Sequence, residues 1–566
     1  MREDKLRVIR CPDIRCKECS ELVGPDCSRL SLLLEEKTKE KVIILEASRS
    51  LLHLGGVSGP IPTKPPWKGE GWESIYIGNR EEFPDKDWCP IDAYLVGPYL
   101  SFYFSLTSEK EIFHRSYPLV RTSLEYGLLQ KLSESIENEF QEQAAKRTNI
   151  SVRLQQIADS VSRDILMSLP EISKTTRERI SRIVANKTTV LDSLLPILLD
   201  DDVEEVYMDR PRKPIYFDHC RLGRCISKYE IHHDDVPRFA TLLRAESNLH
   251  LDRRNPSLKT DLNLLDMNLR VSASLPPLSP DGLHLEIRRA RRRPFTILDL
   301  IRNGTLPTEA AAALLLALGC RFNITITGGP GTGKTTLLNA LDLDSPKVWR
   351  KIYIEDAVES RNLENHHQVR FKVDPVDEID GHSDKSIEIV KTLHRSPDYV
   401  ILGEVQTAEH SQALFQAIAA GLRAMQTCHS YSAASLMSRW TTGHAIEKSS
   451  LAMMDLIVTM VRPLPGESIR RVSEIVEVRR AFSEGVLEFN GLSTVYNYHS
   501  SQDLQWAPDG AYLSYAQETG HESHIQTYNA IVDSLTRSLQ TSVDDTHRDL
   551  GEEIWSQAHP LWSAGA

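Results

Sequence analysis

The chain has 566 residues, which at roughly 150 residues per domain predicts three to five domains with ample buried core and excludes a single small module. Its 40% hydrophobic and 26% charged residues match ordinary globular usage and exclude collagen-like, wholly disordered and coiled-coil classes. The formal charge of −12 is concentrated at the end, where residues 501–566 hold ten Asp and Glu against two Arg, so there is no global cationic field suited to a nucleic-acid polyanion.

The opening Met1-Arg2-Glu3-Asp4-Lys5 lacks the apolar run of an export signal. The longest uncharged apolar stretch, Ala310–Cys320, falls short of the roughly 18 to 20 residues of a membrane span, so a cytoplasmic chain is expected. Nine cysteines in such a chain point to reduced thiols. Four of them cluster in segment 1–54 as Cys11, Cys16, Cys19 and Cys27, with knuckle spacing between Cys16 and Cys19. Two readings stand for these four, a structural zinc site or ordinary thiols in a loosely patterned segment.

Region 55–123 begins with a Pro- and Gly-rich stretch, then alternates as strands around Ala93–Val96 and Phe102–Phe104. Region 124–293 starts helical, with Val152, Leu154, Ile157, Val161, Ile165 and Leu169 spaced mostly by three and four, and continues as α+β. Within it, Glu205–Met208 and Pro214–Phe217 flank a turn like a hairpin. The run Arg288-Arg289-Ala290-Arg291-Arg292-Arg293 before Pro294 marks a boundary. It reads as a solvated linker, with the alternative that some guanidiniums reach a nucleotide phosphate. Region 294–490 carries the chemistry, and 491–566 is an acidic, peripheral extension with one amphipathic helix on Ile525, Tyr528, Val532, Leu535 and Leu539.

Gly328-Gly329-Pro330-Gly331-Thr332-Gly333-Lys334-Thr335 follows the apolar strand Phe322–Thr327 and runs into a helix from Thr336. This G-x4-G-K-[ST] pattern in a strand-to-helix setting is a phosphate-binding loop: glycines turn backbone N–H groups inward, Lys334 reaches the β and γ phosphates, and Thr335 can ligate Mg²⁺. The strand Tyr399–Leu402 ends at Gly403-Glu404, where a carboxylate can hold a magnesium-bound water. Between these segments, Ile352–Ile354 leads into Glu355, Asp356 and Glu359, which either position a water and metal or are simply solvated. Thr427-Cys428-His429 offers an imidazole that is either structural or set against a phosphate.

The order of these motifs resembles the type II/type IV secretion ATPases, the family that includes pilus assembly and retraction motors, with its archaeal branch most similar. Segments Leu195–Val206, Arg270–Pro277, Glu286–Arg288 and Arg470–Ile475 resemble others in that family. The resemblance implies an α/β fold, a RecA-like P-loop NTPase domain preceded by α+β N-terminal domains. It implies ATP and Mg²⁺, with Glu359 activating water and Glu404 supporting metal and water. Glu355 and Asp356 would support the same site, His429 would couple nucleotide state to conformation, and Arg270 and Arg288 would contact nucleotide. It implies a homo-hexamer docked at the cytoplasmic face of the membrane on a polytopic platform protein, with no nucleic-acid partner. Two departures stand out: Gln406 where the family usually has Arg, and Leu422 where it often has His. Competing readings are a RecA-like nucleic-acid translocase and a hydrolysis-deficient ring subunit.

Overall fold

The computed structural model describes residues 6–11, 42–48, 52–54, 72–77, 88–106, 111–120, 123–140, 149–227, 229–291, 294–356, 358–363, 365–374, 384–483, 486–499, 504–505, 510–512 and 524–540. Cys11 ends a strand, while Cys16, Cys19 and Cys27, and with them the zinc expectation, lie outside the described residues. The chain divides into two compact units, Met1–Arg292 and Arg293–Ala566.

The first unit opens with strands β1 (Leu6–Cys11), β2 (Val42–Ser48), β3 (Leu52–Leu54), β4 (Trp72–Ile77), β5 (Trp88–Val96), β6 (Tyr99–Leu106) and β7 (Ile112–Pro118). Helices α1 (Ser123–Phe140), α2 (Ile150–Ser168) and α3 (Lys174–Lys187) follow. Strands β8 (Val203–Met208), β9 (Ile215–His219), β10 (Gly223–Ser227), β11 (Ser257–Leu264), β12 (Met267–Ser274) and β13 (His284–Arg289) complete it. A three-stranded sheet has order β1-β2-β4, and a ten-stranded sheet has order β11-β12-β13-β8-β9-β10-β7-β6-β5-β3. The expected hairpin is β8–β9, with Tyr207 opposite Tyr216.

The boundary drawn at 123/124 runs through that larger sheet, because β7 pairs in parallel with β10. Sequence patterning missed this since a parallel pairing joins segments far apart in the chain. On α2 the buried stripe is Ile150, Leu154, Ile157, Ala158, Val161 and Ile165, and the expected Val152 faces solvent. Asn149 starts that helix by accepting from Ser151 N, which places Ile150 rather than Val152 on the core side.

The second unit contains α4 (Thr308–Gly319), β14 (Ile324–Gly328), α5 (Lys334–Leu343), β15 (Lys351–Glu355), β16 (Gln368–Lys372) and α6 (Lys385–Lys391). It continues with β17 (Tyr399–Val405), α7 (Ala408–Ala419), β18 (Ala424–Cys428), β19 (Leu456–Val461), β20 (Arg471–Ser483), β21 (Val486–Asn497) and α8 (His524–Gln540). The sheet order is β16-β15-β17-β18-β14-β19-β20-β21, parallel through β19 and antiparallel for the last two strands. Strands such as β14 and β15 are buried at every residue, as parallel strands covered on both faces must be. This is a RecA-like arrangement: one strand, β18, separates the phosphate-loop strand from the strand bearing Glu404.

The apolar run Ala310–Gly319 is buried all round on α4, and α8 packs against that helix. Ile531 and Leu535 of α8 are fully buried, and so is Tyr512, whose hydroxyl donates to Ala313 O at 2.8 Å. The expectation of a peripheral tail is thereby corrected for residues 510–512 and 524–540, which close the core of the second unit. Net acidity hid this, because charge reports the outer face and not the buried stripe. Among the described residues no helix is long and apolar enough to cross a membrane.

Candidate active site

The carboxyl ends of β14, β18, β17 and β15 line up on one edge of the sheet, where ligands bind in open α/β sheets. At the end of β14, Gly328 takes φ 154°, and a Cβ there would meet Met460 O at 2.4 Å. Gly331 and Gly333 adopt φ 67° and 91°, so the loop curls through conformations that side chains rarely allow. Thr332 Oγ1 ties the loop by donating to Gly329 O at 2.9 Å, and α5 starts at Lys334 with Thr335 and Thr336 half-buried in its first turn. Pro330 sits at the loop's outer turn, where no N–H is lost to a helix.

The Lys334 ammonium donates to Gly329 O at 2.9 Å and to His429 Nδ1 at 3.2 Å. An ammonium only donates, so His429 Nδ1 is an acceptor and the ring proton lies on Nε2, where it meets Glu404 Oε1. Glu404 Oε2 accepts from Gln406 Nε2 at 2.7 Å. Burial alone would raise the Glu404 carboxyl. Hydrogen bonds from His429 and Gln406, with the positive charge of the site including Lys334, outweigh it and bring it down to about 2.

A bulge re-aims Glu404. Leu402 pairs with Gln426 and Val405 with Cys428, so Gly403 and Glu404 together oppose Thr427, whose hydroxyl donates to Gly403 O. Gly403 suits the close approach there, since a Cβ would lie 3.2 Å from Glu355 Cγ and push that side chain aside by a few tenths of an ångström.

Glu355 is buried, and its oxygens accept from Glu359 N at 3.2 Å, Ser360 N at 2.8 Å and Ser360 Oγ at 2.5 Å. Burial raises this carboxyl above its ordinary range against the lowering effect of those bonds. Asp356 Oδ1 lies 2.7 Å from Lys385 Nζ. Both carboxylates are thus engaged by protein groups. Their carboxylates brace the loop that carries Glu359, and Glu359 O in turn accepts from Asn339 Nδ2 of α5 at 3.1 Å. The oxygen donors that fit a Mg²⁺ beside the phosphate loop are Thr335 and, through water, Glu404.

Several residues here were not singled out as site residues by the sequence. Arg439 donates to His429 O and, at 2.5 Å, to Gln406 O, clamping the ends of two strands from a π-helical turn, Arg439–Gly443. Arg470 Nε donates to Gly331 O at 3.0 Å. Two of them left a signal: Arg470 opens the family-like segment Arg470–Ile475, and Asn339 stands four residues after Thr335 and so shares a helix face with it. The two departures are also explained: Gln406 supplies a neutral donor to Glu404, and Leu422 packs into the core beside α7.

Arg270 and Arg288 belong to the first unit, where they are cross-strand neighbours on β12 and β13, flanked in register by Asp261 and Glu205. Arg270 Nε is 3.5 Å from Asp261 Oδ1. Within the arginine run, Arg289 is buried against Asp201 and Arg291 lies 3.1 Å from Glu204, which is inconsistent with a solvated linker at those positions.

Also in the first unit, Asp200, Asp202 and His219 bring ligand-type atoms within 4.8 Å of one another. Their valences are already used. Tyr94 and Tyr103 donate to Asp200 Oδ2 at 2.5 and 2.8 Å, Asp202 N donates to Oδ1 at 2.9 Å, and Arg221 Nε donates to Asp202 at 2.8 Å. Arg221 N and Leu222 N both donate to His219 Nδ1, so the group is a closed hydrogen-bond network.

The family model described as Type II/IV secretion system protein matches residues 236–484. Two uncharacterized proteins of Methanocaldococcus jannaschii are similar, one 32% identical over 38% of this chain and 30% of its own length, the other 33% identical over 32% and 67%. A probable conjugal transfer protein TrbB of Sinorhizobium fredii is 28% identical over 39% of this chain and 66% of its own length. The chain thus spans under a third of the first of these relatives and about two thirds of the other two. Among solved structures, the ATPase DotB of Legionella pneumophila is 14% identical with a TM-score of 0.37, covering 67% of this chain and 96% of that one. The VirB11 ATPase of Brucella suis is 21% identical with a TM-score of 0.26, covering 52% and 95%. On its sequence matches, with a phosphate loop, bulged carboxylate strand and histidine arranged on one sheet edge, the chain belongs to the type II/type IV secretion system ATPase family.

Proposed function

We propose that the chain hydrolyses ATP with Mg²⁺ and, as a homo-hexameric ring, powers assembly or secretion of type IV pilus-like filaments, the archaeal pilus and archaellum among them. It would act through a polytopic membrane platform protein, from the cytoplasmic face. The observation that carries this reading is the continuous chain Gly329–Lys334–His429–Glu404, which links the phosphate loop to two further strand ends. A γ-phosphate competes for Lys334, so its arrival and loss change what His429 and Glu404 contact. Matches to archaeal proteins support the archaeal branch.

In the chemical step, loop N–H groups and Lys334 hold the β and γ phosphates. Glu359, on a loop fastened to α5 through Asn339, accepts a proton from the attacking water. The water oxygen bonds to phosphorus as the bond to the β-bridging oxygen breaks, and ADP leaves with that electron pair. Thr335, and Glu404 through water, would hold Mg²⁺, which would neutralise phosphate charge when bound. Arg270 and Arg288, adjacent across two strands, suit a nucleotide on a neighbouring subunit.

Phosphate release from the full chain tests the reading. Lys334→Ala should fall to background, and Glu359→Gln should fall by roughly 10²–10⁴-fold while still binding nucleotide. Equal release from all three proteins would overturn it. Stimulation by single-stranded DNA would favour a translocase instead, although the pairing of Arg289 and Arg291 with carboxylates removes the best cationic track for one.

A further inference from the structure

Lys385 is the first residue of α6, and its side chain is 1% exposed. Both features are unfavourable for a cation: helix N-termini carry partial positive charge, and burying an ammonium is costly unless it is paired. Two contacts offset this. Nζ lies 2.7 Å from Asp356 Oδ1 and donates to Glu404 O at 2.7 Å. These acceptors lie at the carboxyl ends of β15 and β17, adjacent parallel strands. Asp356 opens the loop whose far end is pinned by Glu355 to Glu359 N and Ser360 N, and by Asn339 to Glu359 O. Glu404 is the residue whose carboxylate meets His429. One ammonium therefore spans the two strand ends that present Glu359 and Glu404.

We propose that Lys385 is a positioning residue of the phosphate site, its shared ammonium fixing the spacing between the Glu359 loop and the Glu404 strand end. This rests on the ATP-hydrolysing reading above. The contacts of the Lys385 ammonium are with Asp356 and Glu404 rather than with the phosphate loop. It acts through the backbone of Glu404 and the carboxylate of Asp356, so its loss misplaces the groups that hold and activate water while leaving the phosphate loop, Lys334 and Thr335 intact. Displacements of about 1 Å at reacting groups cost on the order of 10²-fold in rate.

The test compares full-length wild type, Lys385→Met and the double variant Lys385→Met/Asp356→Asn, which leaves no half-buried carboxylate without its cation, in steady-state ATP turnover and thermal unfolding. Both variants are expected to lose about 10- to 100-fold in kcat with KM for ATP within about threefold of wild type. The double variant should regain the thermal midpoint without regaining kcat, because Glu404 O still lacks its donor. Should Lys385→Met fail to fold, the double variant alone decides the matter. Wild-type kcat in the double variant, or a rise in KM that accounts for the whole loss, overturns the role of Lys385. No turnover by wild type overturns the ATPase reading instead, so the two failures are distinguishable.

Discussion

His219 in the first unit and His429 in the second make the same kind of arrangement and use it differently. Each ring accepts a hydrogen bond at Nδ1 and turns Nε2 toward an oxygen group, Tyr94 OH at 2.7 Å for His219 and Glu404 for His429. What holds Nδ1 differs. For His219 it is the backbone of Arg221 and Leu222 in the β9–β10 turn, and the side chain is 0% exposed. For His429 it is the Lys334 side chain, and the imidazole is 41% exposed. A backbone partner leaves only when the hairpin opens, whereas an ammonium can be drawn off by any phosphate that outbids the ring. Clustering of titratable groups therefore does not mark a working site. A partner that can leave does.

Substitutions should separate the two histidines. His219→Ala removes the acceptor for two backbone N–H groups and a buried ring, and is expected to cost about 3–4 kcal/mol in denaturant unfolding with ATP turnover within twofold. If it lowered turnover as His429→Ala does, the contrast would fail. The carboxylate beside His219 gives the next effect. Burial pushes Asp200 up to about 6 from 3.8, against the lowering effect of its hydrogen bonds from Tyr94, Asp202 N and Tyr103. Because the folded value is the higher one, its contribution is full below the ordinary value and is lost as pH rises through about 6, by up to roughly 3 kcal/mol. Hydrogen exchange of β5 and β9 amides from pH 4 to 8 should show the decline, and Asp200→Asn should flatten it.

His429→Ala is expected to lower turnover about 10- to 100-fold, or ~1.4–2.8 kcal/mol of activation free energy, without moving the unfolding midpoint. Glu404 gives the smallest effect and the opposite sign to Asp200. Its carboxyl is held at about 2, below the ordinary 4.5, so its contribution is present above 4.5 and is lost as pH falls toward 2. With the side chain 29% exposed, solvent screening reduces this to roughly 1–2 kcal/mol. A carboxyl ¹³C titration that placed Glu404 near 4.5 would erase the asymmetry between the units.

Much of the second unit could be read in advance because its signals are local. The glycines of 328–333, Lys334 and Thr335 lie in one short run, and the strands β14, β15 and β17 are apolar blocks. What escaped was long-range. The bulge at Gly403-Glu404 exists only against β18, and Lys385 acquires meaning only when β15 and β17 pair. Spacing alone could not say that Glu355 turns its oxygens to Glu359 N and Ser360, or that Asp356 meets Lys385. In the first unit, Asp200 and His219 stand 19 positions apart with Tyr94 more than a hundred further upstream, so no window of sequence could assemble them.

The stretch around Gly510 has a practical bearing on anyone shortening this protein. A Cβ at Gly510 would lie 2.5 Å from the Glu477 carboxylate, which is itself fully buried and accepts from Tyr512 N at 3.1 Å, while the Tyr512 ring packs 4.9 Å from that of Phe322. Cutting after β21, a few residues past the boundary drawn at 490/491, would take the Tyr512 donor from the buried Glu477 carboxyl and open an aromatic slot beside Phe322. The shortened second unit would be expected to clump on expression, and its silence in an assay would say nothing about the full chain.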